Sequence, residues 1–485
     1  MDSSNPSTIG FDPPAAQRQW ADLPGPRSWP LVGNAFQLDA ASVHLQLEQW
    51  CREFGPYFKL RVGRPILVVG DHKVVASVLR NRPEVFQRTP RLNQIWTEMG
   101  LKPGLFGANG DAWRHQRRMV MASFDPAHVR RYFPSLRQVA DRLGSRWQKA
   151  ARAGASIDLQ ADLMRYTVDT IAGLAFGSEV NTLESDGDVI QQHLDRIFPA
   201  VSTRVIAPIP VWRWWRRAKD RQLDHSVVEV NAAVERFIGA ARARMQVDPA
   251  LRERPSNLLE AMLAAADAPE SGIDDDQVAG NVVTMLLAGE DTTANTIAWM
   301  IELLWRHPEA LERAMREVRQ TAGGSAAPDI EQIEQLDFIE ACAHETMRLK
   351  PVAPVLPFMT EGEITVGDVQ VPAGTIVICL MRRDSVSEQH VPNAEVFQPE
   401  RWLADGGPAA LAGSAKRVSM PFGAGPRICP GRYLALLEIK MAMATLLGRF
   451  DIEDVSTPDG KPAREHLSFT MTPVGLRMRL RERGG

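Results

Sequence analysis

The ten-residue run Phe422-Gly423-Ala424-Gly425-Pro426-Arg427-Ile428-Cys429-Pro430-Gly431 holds the residue types best suited to chemistry in this chain. Its glycines let backbone pass close to a flat ligand. The apolar periodicity of Arg432–Phe450 predicts a helix directly after it. Cys429 then stands at a helix N-terminus, where free N–H groups and the positive end of the dipole stabilise a thiolate. A lone cysteine is by default a small buried apolar residue. In this setting it is a candidate metal ligand.

Three further groupings lie upstream. In Ala288-Gly289-Glu290-Asp291-Thr292-Thr293, Ala288 and Thr292 share a helix face with Thr284, each four residues apart. The small Ala288-Gly289 step leaves room for a ligand beside the backbone. The Thr292 hydroxyl can loosen the helical ladder, and an acid beside an alcohol is placed to pass protons. Glu345 and Arg348 are three apart, with Leu349-Lys350-Pro351 next and Phe397-Gln398-Pro399-Glu400-Arg401-Trp402 further on. Trp113 and Arg117 are four apart within Trp113-Arg114-His115-Gln116-Arg117-Arg118. Taken singly these are ordinary: helix packing, a surface ion pair, a basic amphipathic helix.

Taken in this order, with the cysteine run downstream, they resemble the cytochromes P-450, and most of all the soluble bacterial haem-thiolate monooxygenases. The run Phe422–Gly431 matches F-x-x-G-x-R-x-C-x-G at every fixed position. The resemblance extends from the proline-rich lead-in at Leu23 to Phe469-Thr470-Met471. It implies haem b (iron protoporphyrin IX) bound through the Cys429 thiolate, with Phe422, Gly423, Gly431, Ala288 and Gly289 against it. Trp113, Arg117 and Arg427 would hold its propionates, which suits an indole N–H and guanidinium forks. Asp291 and Thr292 would be the catalytic acid-alcohol pair. Glu345, Arg348 and Arg401 would form a buried triad behind the cysteine loop, one carboxylate between two planar forks. By family position the substrate pocket takes Thr284, Ala288, Val352, Ala353, Val355, Leu356, Phe469 and Met471, with part of Asn93–Gly107. Two departures stand out. Phe358 follows Pro351-Val352-Ala353-Pro354-Val355-Leu356-Pro357 where many relatives carry a propionate-binding arginine, and Arg382-Arg383-Asp384 replaces H-R-D.

The activity so implied is insertion of one oxygen atom of O2 into an apolar small molecule, a terpenoid, steroid or fatty-acid-like compound. Electrons would come from NAD(P)H through a separate ferredoxin or flavodoxin with its reductase. Arg114, Arg118, Lys416, Arg417 and Arg432 are expected to make the face behind the cysteine loop basic, to receive an acidic carrier. Two other readings stay open: a peroxide-dependent peroxygenase, and a haem protein that binds ligand without oxidation. The intact Asp291-Thr292 pair argues against both. If a substrate carboxylate had to be anchored, Lys102 and Arg91 are the cations available.

Positioning these residues calls for a mainly α fold with minor β, a long central helix over the haem and a small β-rich edge. Phe58–Val69 alternates around Gly63-Arg64-Pro65 and reads as a hairpin. Asp274-Asp275-Asp276 supplies N-terminal acids to a helix that runs to Arg306, ended by His307-Pro308. That is about three times the usual ~11-residue globular helix. Further helices are expected at Pro308–Ala322 and Ile330–Leu349, strands in Ile364–Leu380 around Pro372-Ala373-Gly374, and a closing hairpin over Ser468–Arg483.

Bulk properties bound the rest. With 485 residues, 44% of them hydrophobic, the chain can bury a large core. Its formal net charge of −3 gives no reason to expect nucleic acid. Cys51, Cys342, Cys379 and Cys429 lie far apart without a C-x-x-C pair, which excludes a zinc-thiolate or dithiol motif and suits a reducing cytoplasm. No stretch approaches the ~20 apolar residues of a membrane span. The expected organisation is a polar extension over 1–22 and one haem domain over 23–485, monomeric. Trp212-Arg213-Trp214-Trp215-Arg216-Arg217 interleaves aromatic and basic residues, a pattern that can bind nucleic acid or a membrane surface, but the family resemblance implies that this stretch is a lid over the substrate entrance.

Overall fold

The computed structural model describes residues 18–177, 180–185, 189–207, 209–321, 328–403 and 409–483. Most of the expected 1–22 extension lies outside them.

β1 (Tyr57–Val62) and β2 (Arg64–Val69) form the expected hairpin, turned on Gly63 at φ +69°. α1 (His72–Arg80) follows, its first N–H groups accepted by the Asp71 carboxylate. β3 (Phe86–Gln87), α2 (Pro90–Glu98) and α3 (Gly110–Ser123) lead to α4 (Leu159–Phe176), α5 (Val189–Ile206) and α6 (Ala218–Val247). Then comes α7 (Asp275–Arg306), 32 residues long, opened by a reciprocal cap between Asp274 and Gln277. From Val278 to Leu304 it is buried on nearly every side, so it forms the axis of the core rather than a surface helix.

The helix expected over Ile330–Leu349 is instead two, Ile330–Glu334 and α8 (Asp337–Leu349). The Glu317 carboxylate accepts the N–H groups of Phe338 and Ile339 at 2.7 and 2.9 Å, which starts a new helix there. β4 (Val355–Thr360) and β5 (Ile376–Leu380) join the first hairpin in a sheet of order β1-β2-β5-β4-β3. Its β2–β5 pair is parallel, with Ile66 opposite Ile376. α9 (Arg432–Arg449) passes into β6 (Phe450–Ser456).

The tail is not one hairpin. β7 (Arg464–Leu467) pairs with β8 (Met471–Val474), whereas β9 (Arg477–Glu482) pairs with β6 and with Ile157–Asp158. Gly475, at φ +72°, turns the chain from one sheet to the other. The architecture is mainly α with small sheets at the edge, and Trp147, Trp299, Tyr166 and Phe176 are fully enclosed in the helical core.

Candidate active site

The cysteine loop is shaped by its glycines. Gly423 and Gly425 have φ of +75° and +70°. A side chain on Gly425 would stand 2.6 Å from the Arg80 backbone, so the loop can lie against α1 only with glycine there. The Cys429 N–H donates to Phe422 O at 2.9 Å and closes the loop. Arg117 on α3 donates to Ile428 O at 2.7 Å. Cys429 lies deep in the molecule and yet is exposed, so its sulfur faces interior space. Burial pushes the thiol pKa up, while the Gly431 N–H and the Arg117 charge oppose that.

On α7, Ala288 is exposed although its neighbours Leu287 and Glu290 are buried. It too opens on interior space. Thr292 donates its hydroxyl to Ala288 O at 2.8 Å, beside that opening. Gly289 does not face a ligand: a Cβ there would meet Ile171 of α4 at 3.2 Å, so its missing side chain admits a neighbouring helix. Asp291 is turned to Asn295, at 2.8 Å, and to the Thr470 hydroxyl; burial raises its pKa. Glu290 is enclosed with both carboxylate oxygens unpartnered, and burial with nearby Asp195 and Asp291 holds it well above the ordinary range. Burial, with Asp291 second, pushes Asp195 on α5 up to about 6. Glu438 on α9, bonded to Thr293, is raised to about 8 by burial. Of these acids, reading by motif finds only Asp291.

Three arginines converge without carboxylate partners among the described residues. Arg427 lies 4.8 Å from the Trp113 ring centroid and donates to Ala108 O. Arg82 and Arg88 stack on Phe358 at 4.5 and 5.5 Å, and Arg88 also covers Phe106 at 4.1 Å. Burial lowers all three, to about 10, 9 and 10 for Arg82, Arg88 and Arg427, and for Arg88 the other two charges lower it further. The buried Arg88 Nε has no acceptor. Desolvated cations that repel one another need an anion. A flat dianionic group with a metal at its centre fits this set: the exposed deep sulfur, the opening at Ala288 and the unpaired guanidinium groups. Arg82 and Arg88 are invisible to motif reading. The one signal for them is Phe358, where the expected cation is missing and these two take up its ring.

Glu345, Arg348 and Arg401 meet with no exposure at all. Arg348 grips Glu345 through two bonds of 2.8 Å, Arg401 adds one of 3.0 Å, and the Trp402 indole donates at 2.8 Å. Arg348 also donates to Ser385 O, Ala394 O and Val396 O. The altered tripeptide has a comparable use: Arg382 bridges Glu48 and Glu465, which further binds His44 and Lys350.

The expected pocket residues divide. Phe469 sits between Phe106 and Phe198, ring centroids 5.8 and 5.0 Å away. Val352 and Ala353 are half-buried. Leu356 packs on the same side of the sheet as Phe358, but Val355 packs on the other, with Leu47 and Phe58. Strand alternation forbids both from facing one pocket. Met471 is wholly buried, its carbonyl taken by the Trp299 indole, and belongs to the core. Thr284 meets Gly104 and donates to Gly280 O. Neither candidate carboxylate anchor is free: Arg91 donates to Arg204 O and Ala207 O at the end of α5, and Lys102 pairs with Asp276. Trp212–Arg217 lies between α5 and α6, with Trp214 and Trp215 exposed.

A family model, cytochrome P-450, matches residues 23–480. The crystal structure of the cytochrome P-450DA heme domain superposes with a TM-score of 0.82 at 25% identity, covering 97% of this chain and 99% of that one. Cyclooctat-9-en-7-ol 5-monooxygenase of Streptomyces melanosporofaciens is 27% identical over 464 residues, 94% of this chain and 95% of that protein. A self-sufficient cytochrome P-450 monooxygenase of Aspergillus terreus is 27% identical over 481 residues, 96% of this chain but 44% of that protein. With its mainly helical fold, its long central helix and its deep, exposed cysteine, the chain belongs to the cytochrome P-450 family of monooxygenases.

Proposed function

We propose that this enzyme hydroxylates neutral, apolar molecules of medium to large size, with O2 and with electrons drawn from NAD(P)H through a separate carrier protein. The observation that carries the reading is the deep, exposed sulfur of Cys429 found together with three desolvated arginines that pair with no carboxylate among the described residues. When bound, a thiolate-ligated haem activates dioxygen for insertion into unactivated C–H bonds. Cys429 supplies the sulfur, with the Gly431 N–H and Arg117 drawing off part of its charge. Pro430 has no N–H to add a further hydrogen bond. Arg82, Arg88 and Arg427 neutralise the propionates, and Arg117 holds the loop through Ile428 O. The Thr292 hydroxyl keeps a proton beside the opening at Ala288. Asp291, with Glu290 and Asp195 near it, forms a group of acids whose pKa values burial raises, that of Asp195 to about 6.

The substrate class rests on the apolar makeup of the expected pocket. Phe469 and Phe106 are half-buried and meet each other, with Phe469 also against the buried Phe198, and covering the aromatic surface they leave favours an apolar ligand by roughly 25 cal/mol per Å². Arg91 and Lys102 are engaged elsewhere. The name of one similar protein, a cyclooctat-9-en-7-ol 5-monooxygenase, describes a neutral alcohol substrate.

For the carrier, a groove of about 1050 Å³ behind the cysteine loop is lined by Phe422 and Ile428, with Arg316, Lys416 and Arg432 beside Glu317, Asp337 and Glu340. Arg118 is exposed on α3. Arg114 is not available, being paired with Asp111 and Glu84. The remaining cations suit a small acidic ferredoxin or flavodoxin.

The test of substrate class is a spin-state titration with matched pairs of neutral and acidic ligands of equal carbon skeleton. Neutral members are expected to shift the haem spectrum at concentrations at least tenfold lower. Preference for the acids would overturn the neutral-substrate reading.

A further inference from the structure

Away from the cysteine loop, the start of α1 meets the segment that follows β5. There His72, Asp384 and His390 bring three donor atoms within 4.8 Å of one another. His72 Nδ1 is 2.8 Å and His390 Nε2 is 3.5 Å from the same oxygen, Asp384 Oδ2. The two imidazoles meet edge to face with centroids 4.7 Å apart. We propose that these three side chains form a binding site for one zinc ion, separate from the haem.

Two imidazoles and a carboxylate suit zinc, which takes N and O ligands at ~2.0–2.2 Å and keeps a fourth position for water. Around a tetrahedral ion, ligand atoms at those bond lengths stand roughly 3.4 Å apart. The present spacings bracket that value, so small side-chain rotations close the shell. Magnesium and calcium, which demand several oxygens, do not fit this donor set.

The carboxylate is already oriented. Asp384 Oδ1 is held by Arg383 at 2.5 Å, and Oδ2 accepts the His72 backbone N–H at 2.8 Å, leaving one lone pair for a metal. Such outer contacts fix a ligand before the ion arrives. The Arg383 charge beside Asp384 weakens binding. Asp384 is nearly enclosed, whereas the His72 and His390 side chains are 14% and 28% exposed, which gives an ion and its water a path in. His72 coordinates through Nδ1 as the Nε2–H tautomer, and His390 through Nε2 as the Nδ1–H tautomer.

The ion would tie α1 to the chain that continues into Ser385 and Ala394, whose carbonyls receive Arg348. Zinc would therefore stiffen the segment that Arg348 holds.

The experiment uses untagged holoprotein treated with EDTA and then titrated with zinc chloride. Bound metal is counted by elemental analysis, and thermal unfolding is followed in parallel. One zinc per chain is expected, with a rise in Tm, an unchanged haem spectrum and no response to magnesium. H390Q and H72Q are each expected to weaken zinc binding at least tenfold and to abolish the rise in Tm. His390 is partly exposed and caps nothing, so H390Q alone decides the matter if H72Q folds poorly. No zinc bound, or equal affinity and the same rise in Tm in H390Q, would overturn the site.

Discussion

A guanidinium desolvated without a carboxylate is costly, and Arg82, Arg88 and Arg427 are all desolvated here. Removing one should have opposite effects on the two forms of the protein. Arg88→Gln is expected to stabilise the haem-free protein, because a desolvated charge disappears. It is expected to weaken haem retention roughly ten- to hundredfold, the equivalent of one charged hydrogen bond of ~1.5–3 kcal/mol. Haem transfer to a scavenging apoprotein and urea unfolding of the haem-free form check both halves; unchanged haem loss would remove Arg88 from the cofactor site. At this scale the sequence is legible where a spacing repeats. Arg117 lies one turn from Trp113, and Arg427 lies two residues before the cysteine. Arg82 and Arg88 occupy irregular chain near β3, where no period marks them. Glu290 and Asp195 are legible only once α5 and α7 are seen to face one another.

Among the elements, α7 is the most readable, since its acidic start, its apolar length and its His307-Pro308 stop are all local signals. What local signals miss is direction. Gly289 and Ala288 are adjacent in sequence, yet one faces Ile171 and the other interior space. Val355 and Leu356 point to opposite faces of one strand, which the period of two requires and family position alone obscures. The break before α8 depends on Glu317, a residue of another helix, and so has no signature within Ile330–Leu349. Only α7 places the Thr292 hydroxyl one turn from Ala288. Thr292→Ala is expected to leave substrate binding within about twofold while lowering product formed per NAD(P)H several-fold, the balance appearing as peroxide. Measured coupling equal to wild type would assign proton delivery to another group.

Across the whole molecule, the small sheets close through contacts distant in sequence. β2 lies parallel to β5 some three hundred residues later, and β9 reaches back to Ile157–Asp158. Such pairings carry no local mark, which explains why the tail reads as a hairpin when it serves two sheets. Charge is likewise legible in total but not in place. The chain is nearly neutral overall, and the charge of Arg114 is offset by Asp111 and Glu84, while Arg118, Lys416 and Arg432 are exposed. Among the described residues no helix is long and apolar enough to cross a membrane. If an acidic carrier docks on this face, electron transfer should slow several-fold as salt rises from low to physiological strength. Arg118→Glu should slow it at low salt. Rates indifferent to both would exclude electrostatic docking there.

Every role proposed for the site depends on Cys429 as the iron ligand. The most direct measurement is the absorption spectrum of the dithionite-reduced, carbon monoxide-treated protein, wild type beside Cys429→Ser. Wild type is predicted to show the red-shifted Soret band of a thiolate-ligated haem, and the serine variant to lose it while still binding haem through the arginines. A serine variant that keeps the wild-type band, or a wild type that never shows it, would contradict the assignment.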